Sequence, residues 1–343
     1  MQNPFSLSFG KEPLSYISRD FQNEEILSSF TADNPSYQVC MITGVRGSGK
    51  TVAMTAIANK LRSDSAWVIV DLNPERDLLN QAAAELSCRR ELLQLFRDAK
   101  INLSFLGMGV EIDGEPPVTD VAIALRRMLE KLTKSGKRVL FTVDEASSTQ
   151  YFRAFASQIQ IYMREGLNVF LLMTGLYENI ADLQDSKTLT FLYRAPKIEL
   201  KPLNIGLIAA KYREIFELSD ETAMAMAKVT EGYPFAFQVL GYLCWDRKLP
   251  WEKVLPEFDA YLEEFVYDKI WSESSGKDKE IIAAICKSET GKVESVRTEA
   301  GVSSSLFNVY RKRLIRRGII YSPTYGYVAF TLPRFREFVL RNL

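Results

Sequence analysis

The sequence predicts an α/β core built on a parallel sheet, followed by an all-α segment and then a small helical domain closed by a hairpin. Three observations carry this. Short apolar runs alternate with helical pattern from Tyr37 to Leu200, as when a parallel sheet is covered on both faces. From Asn204 to about Trp271 the pattern turns wholly helical, and Ser272 to Gly276 reads as a linker. The remainder runs helix, helix, helix, strand, turn, strand, helix.

The elements follow in order. Tyr37–Thr43 is a buried strand, and a helix from Lys50 to about Leu61 places Val52, Ala56, Ile57 and Leu61 on one face. Trp67–Asp71 is a second strand. Helical pattern fills about Asp77 to Lys100, and Ile101 to Asp113 alternates around Gly107 and Gly109 as a hairpin would. Val118–Lys134 is a helix, Arg138–Val143 a strand, Thr149–Arg164 a helix, Asn168–Thr174 a strand and Lys197–Leu200 a short strand.

With 343 residues, 47% hydrophobic and 25% charged, the chain can bury its core without disulfides. The four cysteines show no CxxC spacing, which favours reduced, buried thiols and a cytoplasmic location. No apolar run is long enough for a membrane helix, and the N-terminus lacks the pattern of a signal peptide. The absence of histidine excludes Ser-His and Cys-His catalysis, leaving carboxylates, Lys, Arg, hydroxyls and Mg²⁺ for any chemistry. Net charge is zero, but Lys277–Leu343 holds thirteen Lys/Arg against six Asp/Glu, a surplus of seven on an otherwise acidic chain.

Two motifs point to a nucleotide. Gly44-Val45-Arg46-Gly47-Ser48-Gly49-Lys50-Thr51 fits G-x-x-x-x-G-K-[ST] between a strand and a helix. The glycines let backbone N–H groups curl round phosphates at the positive end of a helix dipole. Lys50 is expected to bridge the β- and γ-phosphates, and Thr51 to coordinate Mg²⁺. Val139–Val143, followed by Asp144 and Glu145, is a buried strand ending in two acids. Asp144 is expected to support Mg²⁺ and Glu145 to act as general base on the attacking water. The predicted fold class is thus α/β: a P-loop NTPase parallel-sheet core with an all-α lid and a C-terminal winged helix-turn-helix domain.

On these motifs the chain resembles the AAA+ group of P-loop ATPases, and within it the archaeal and bacterial ATPases related to origin-recognition initiators and to STAND signalling ATPases. The resemblance covers nearly the whole chain. It implies ATP as the nucleotide and a sensor role for Thr174 at the end of Asn168–Thr174. It also makes Arg194 a candidate arginine finger for a neighbouring subunit's ATP, the alternative being a surface salt bridge. Gly232-Tyr233-Pro234 resembles the Gly-x-Pro motif of the STAND lid, in which Pro234 meets the nucleotide. A sensor 2 arginine is missing here, Tyr233 and Pro234 standing in its region. Phe9–Arg19 resembles a segment that packs on adenine, and a structural arm is an equal reading.

In the C-terminal part, Ser303 is placed to cap a helix from Ser304 to Arg317, and Gly318 to end it. Leu306, Tyr310 and Leu314 form its expected core stripe. Ile319–Tyr321 and Tyr327–Phe330 supply the hairpin of a winged helix. Arg311, Lys312, Arg313, Arg316 and Arg317 are the residues expected to meet double-stranded DNA. The expected domains are 1–203 (ATPase core), 204–272 (lid) and 277–343 (winged helix). The expected function is a Mg²⁺-dependent, DNA-binding ATPase that switches conformation or assembly, with a homo-oligomer possible. The alternative is a STAND-like switch whose winged helix packs on protein.

Overall fold

The structure, a computed structural model, describes residues 2–8, 10, 13–98 and 120–343. The hairpin expected over 101–113 lies outside them. The described chain forms two compact units.

The sheet unit comprises Arg19–Thr43 and Lys50–Glu199. Its elements are α1 (Asp20–Thr31), β1 (Val39–Thr43), α2 (Lys50–Arg62), β2 (Trp67–Leu72), α3 (Leu78–Ser87), α4 (Arg90–Asp98), α5 (Val121–Lys134), β3 (Arg138–Val143), α6 (Gln150–Arg164), β4 (Val169–Gly175), α7 (Tyr177–Gln184), α8 (Thr190–Arg194) and β5 (Lys197–Glu199). The five strands lie in the order β2-β3-β4-β1-β5, all parallel. Every residue of β1 and β4 is buried, the signature of strands covered on both faces. Val39, Met41, Phe141, Leu171 and Met173 join α3, α5 and α6 side chains such as Leu86, Leu129 and Phe155 in one apolar cluster. Asp120 and Thr149 cap α5 and α6 through their side-chain oxygens, fixing where each helix starts.

The helical pattern expected over about Asp77 to Lys100 forms, among the described residues, the two helices α3 and α4. The Ser87 hydroxyl donates back to the Ala84 carbonyl at 2.8 Å, competing with the helical ladder at that point. The Arg89 guanidinium then donates to the Ile69 carbonyl of β2, which ties the break to the sheet.

The helical unit comprises Met1–Ser18, Gly44–Gly49 and Leu200–Leu343. Its elements are α9 (Ile205–Phe216), α10 (Asp220–Val229), α11 (Pro234–Arg247), α12 (Trp251–Leu262), a π-helical turn (Glu263–Tyr267), α13 (Asp268–Ser272), α14 (Gly276–Lys287), α15 (Val293–Glu299), α16 (Ser304–Arg316), β6 (Ile320–Tyr321), β7 (Ala329–Phe330) and α17 (Phe335–Arg341). Strands β6 and β7 pair antiparallel. Asn204 and Ser219 cap α9 and α10, Ser275 and Asp278 form a capping box on α14, and Pro234 opens α11 where a missing N–H costs nothing. Ser303 caps α16 as expected, and Gly318 follows its end with φ 69°.

One apolar cluster runs through this unit from Tyr212 and Phe237 to Ile282, Leu314 and Phe338. The N-terminal arm belongs to it: Phe5 stacks on Phe216 with ring centroids 5.6 Å apart, and a Cβ on Gly241 would lie 2.3 Å from the Phe5 ring. The Ser15 hydroxyl and the Ser6 N–H both donate to Gln238 Oε1.

The core stripe of α16 differs from expectation. Phe307 and Leu314 are buried, Tyr310 is half-buried, and Leu306 is 40% exposed. Residues seven apart share a helix face, and the larger Phe307 takes the inward position in place of its neighbour Leu306.

Candidate nucleotide site

Strand β4 lies between β1, which leads into the glycine-rich loop, and β3, which ends at the acid pair. In register, Ile42 of β1 faces Thr174, and Val143 of β3 faces Met173. Thr174 therefore stands at the same sheet edge as Asp144 and the start of α2. All three strands are buried along this stretch, so their ends are fixed by the core.

The polar groups at that edge form a connected set. The Thr51 hydroxyl donates to Asp144 Oδ2 at 2.7 Å, and the Thr174 hydroxyl donates to Asp144 Oδ1. Thr174 Oγ1 also accepts the Glu145 N–H at 3.2 Å, and the Thr174 carbonyl accepts the Ala146 N–H at 2.8 Å. Thr174 is fully buried and Asp144 is half-buried. Two hydroxyl donors thus orient the Asp144 carboxylate. Glu145 is exposed and held at φ 53°, a left-handed conformation that a residue with a Cβ seldom adopts. Lys50, the first residue of α2, is 8% exposed.

Hard oxygen donors on Thr51 and Asp144 suit Mg²⁺, which takes few protein ligands and keeps several waters. Among the described residues no group of three or more His, Cys, Asp or Glu could hold a metal ion. The sheet unit also carries an open pocket of about 370 Å³ beside these groups, lined by Thr51, Thr55, Arg62, Asp71, Thr142 and Asp144 among others. Asp71 is a site neighbour that sequence reasoning passed over. It accepts from the Thr142 hydroxyl at 2.5 Å and from Arg62 at 3.1 Å. Its place at the end of the second buried strand, level with Thr142, was the available signal.

Gly44–Gly49 belongs to the helical unit. Gly47 and Gly49 have φ of 73° and 85°, whereas Arg46 and Ser48 stay at negative φ. This alternation turns successive N–H groups toward one concave side, a backbone nest suited to anions. Tyr233 closes on the loop: its hydroxyl donates to the Arg46 carbonyl at 2.6 Å, and a Cβ on Gly47 would lie 2.1 Å from the Tyr233 oxygen. Tyr233 is 4% exposed, and burial pushes its phenol far above the usual range, so it stays a neutral donor. Pro234 lies 3.9 Å from the position of a Gly49 Cβ.

Arg194 is exposed at the end of α8 and makes no ion pair among the described residues. Of the five basic residues expected to meet DNA, two face a buried acid, Arg313 with 48% of its side chain still exposed. Arg313 and Arg317 lie 3.1 and 3.7 Å from Oδ2 of the fully buried Asp278, and Arg317 also donates to the Ser274 hydroxyl. Only 10% of the Arg317 side chain is exposed, which takes it off the open surface. Arg311 donates to Ser322 of the hairpin, while Lys312 and Arg316 are exposed. A buried carboxylate needs cations, and α16 is the element that supplies them.

A family model described as a domain of unknown function (DUF8462) matches residues 264–339. No curated protein matches the sequence. Among solved structures, the Walker-type ATPase PABY2304 of Pyrococcus abyssi is similar over 98% of this chain and 99% of its own, with a TM-score of 0.72 at 15% identity. The Aeropyrum pernix ORC2 protein, in its ADPNP-ADP complexes, is similar over 97% of this chain and 95% of its own, with a TM-score of 0.59 at 12% identity. At such identities the likeness establishes the fold. The chain shares the fold of these two structures.

Proposed function

We propose that this chain is an ATPase that uses Mg²⁺–ATP to switch conformation or assembly, and that it holds double-stranded DNA through its C-terminal domain. The observation that carries the first part is the hydrogen-bonded set Thr51–Asp144–Thr174 at the end of the acid strand. The nest at Gly44–Gly49 cradles phosphates, with Val45, Arg46 and Ser48 supplying the intervening backbone, and Lys50 offsets their charge. Thr51 and Asp144 hold Mg²⁺, which when bound neutralises phosphate oxygens. Glu145 takes the proton from the attacking water, and Thr174 keeps Asp144 and the Glu145 backbone in place. Pro234 meets the nucleotide from the lid, and Arg194 serves a neighbouring subunit's site in a homo-oligomer. The two similar structures, a Walker-type ATPase and a protein in ADPNP-ADP complexes, support this reading.

The domain division is an ATPase core (1–203), a lid (204–272) and a winged helix (277–343). Helices α14, α15 and α16 with the β6–β7 pair support the last of these. On α16, Arg311, Lys312 and Arg316 are the cations offered to DNA, and Arg313 offers its exposed part. A second reading rests on the same helix. Leu306 and Val309 are 40% and 61% exposed, an apolar pair that suits a protein partner in a STAND-like switch.

Fluorescence anisotropy on labelled duplex DNA separates the two, using the full chain with ATP, ADP or no nucleotide across a salt series. The proposal expects binding that weakens steeply with salt and that Lys312→Ala and Arg316→Ala reduce at every sequence. Binding that is absent at low salt would leave the protein-docking reading in its place.

A further inference from the structure

We propose that Tyr233 is a positioning residue for the phosphate loop: its hydroxyl sets the Arg46–Gly47 peptide plane, so that the Gly47 N–H is offered to an anion before any nucleotide arrives. The inference rests on the nucleotide reading given above.

The geometry follows from the planarity of the peptide bond. In a trans peptide the carbonyl of one residue and the N–H of the next lie in one plane and point in opposite directions. Tyr233 holds the Arg46 carbonyl at 2.6 Å. The Gly47 N–H is therefore directed away from Tyr233. A glycine-rich loop is otherwise free to flip this plane, because glycine tolerates both signs of φ. Flipped, it would present a carbonyl oxygen to an anionic ligand.

Three further features make the contact a built one. A Cβ on Gly47 would lie 2.1 Å from the Tyr233 oxygen and 3.1 Å from Phe235 Cβ, so the loop approaches this side chain as closely as glycine allows. Tyr233 is 4% exposed, and water cannot readily replace its hydrogen bond. Backbone and ring are both held: the Tyr233 N–H donates to the Thr230 carbonyl at 2.8 Å, and the ring packs edge-on against Phe235. Gly232, at φ 77°, lets the chain turn into this position: its carbonyl accepts the Leu203 N–H at 2.7 Å, and a Cβ there would lie 2.5 Å from the Leu203 carbonyl oxygen.

The test compares two conservative changes in the full-length protein. Tyr233→Phe removes the hydroxyl that holds the loop. Tyr212→Phe removes a similarly buried hydroxyl that donates to the Phe237 carbonyl in the same apolar cluster, away from the loop. Amide hydrogen exchange is read by mass spectrometry without nucleotide, and fluorescent ATP-analogue affinity is read with Mg²⁺. A lost hydrogen bond of this kind corresponds to roughly three- to ten-fold in an equilibrium. Tyr233→Phe is expected to speed exchange in the peptide covering Gly44–Gly49 and weaken the analogue by about that factor. Tyr212→Phe is expected to change neither, whatever it does to the melting temperature. Equal loop exchange in the parent and both variants overturns the proposal. A parent protein that fails to bind the analogue overturns the nucleotide reading instead, and the exchange comparison still decides whether Tyr233 holds the loop.

Discussion

Two aspartates, one in each unit, sit beside residues that a charge count alone would treat alike. Asp144 leaves the buried end of its strand, stays half-exposed, and is held by two threonine hydroxyls. Asp278 is fully buried at the start of α14 and is faced by Arg313 and Arg317. Hydroxyls orient a carboxylate and leave its charge available to a cation. Arginines consume that charge. In the proposed function the sheet unit offers its acid to a cation, whereas the helical unit uses its own to hold α14 and α16 together.

Changes on the two sides should separate cleanly. Glu145→Gln, beside Asp144, should lower ATP turnover by about 10²- to 10⁴-fold in a phosphate-release assay. Glu145 is exposed, so its unfolding free energy should move by no more than about 0.5 kcal/mol. Asp278→Ala should do the reverse. It leaves Arg313 and Arg317 without their carboxylate and removes the capping box, and about 3 kcal/mol of stability should be lost in urea denaturation. If Asp278→Ala proved neutral, the two aspartates would not differ in the way described.

Smaller effects sharpen the picture of the helical unit. The Tyr267 hydroxyl, in the π-helical turn, donates to the Pro333 carbonyl, and its ring packs edge-on against Phe335 of α17. Tyr267→Phe should cost about 1 kcal/mol in the same assay, because the ring stays and the carbonyl loses its partner. Burial, with Glu337 nearby, raises the Glu231 carboxyl above its usual range. The folded protein then keeps this proton to higher pH than the unfolded chain does, and stability falls as pH rises from the unfolded value through the folded one. Glu231→Gln should raise the melting temperature near neutral pH, and this gain should vanish below the ordinary carboxylate range.

Much of the sheet unit was legible in the sequence because strand and helix periods differ and the buried strands are short, apolar and bounded. The loop at Gly44 and the acid pair at Asp144 could be placed for the same reason. What could not be read was tertiary. The break between α3 and α4 depends on an arginine reaching a carbonyl some twenty residues away in β2. The phase of α16 depends on which of Leu306 and Phe307 faces a neighbouring helix, and the periodic pattern permits both. The pairing of Arg313 and Arg317 depends on Asp278, which in sequence looks like an ordinary helix-start acid. Tyr233 gave no signal as a loop partner, because its contact spans 187 positions.

The proposed function requires Lys50, Thr51 and Asp144 to take part in binding a Mg²⁺–nucleotide. Calorimetric titration of ATP into the full-length protein, with Mg²⁺ and with chelator, tests it most directly when run beside Lys50→Ala and Asp144→Asn. One site per chain is expected in the parent, tighter with Mg²⁺ than without. Binding should be lost or severely weakened in Lys50→Ala, and the Mg²⁺ dependence abolished in Asp144→Asn. Binding unaffected by both substitutions, or no binding by a folded parent, would contradict the proposed function.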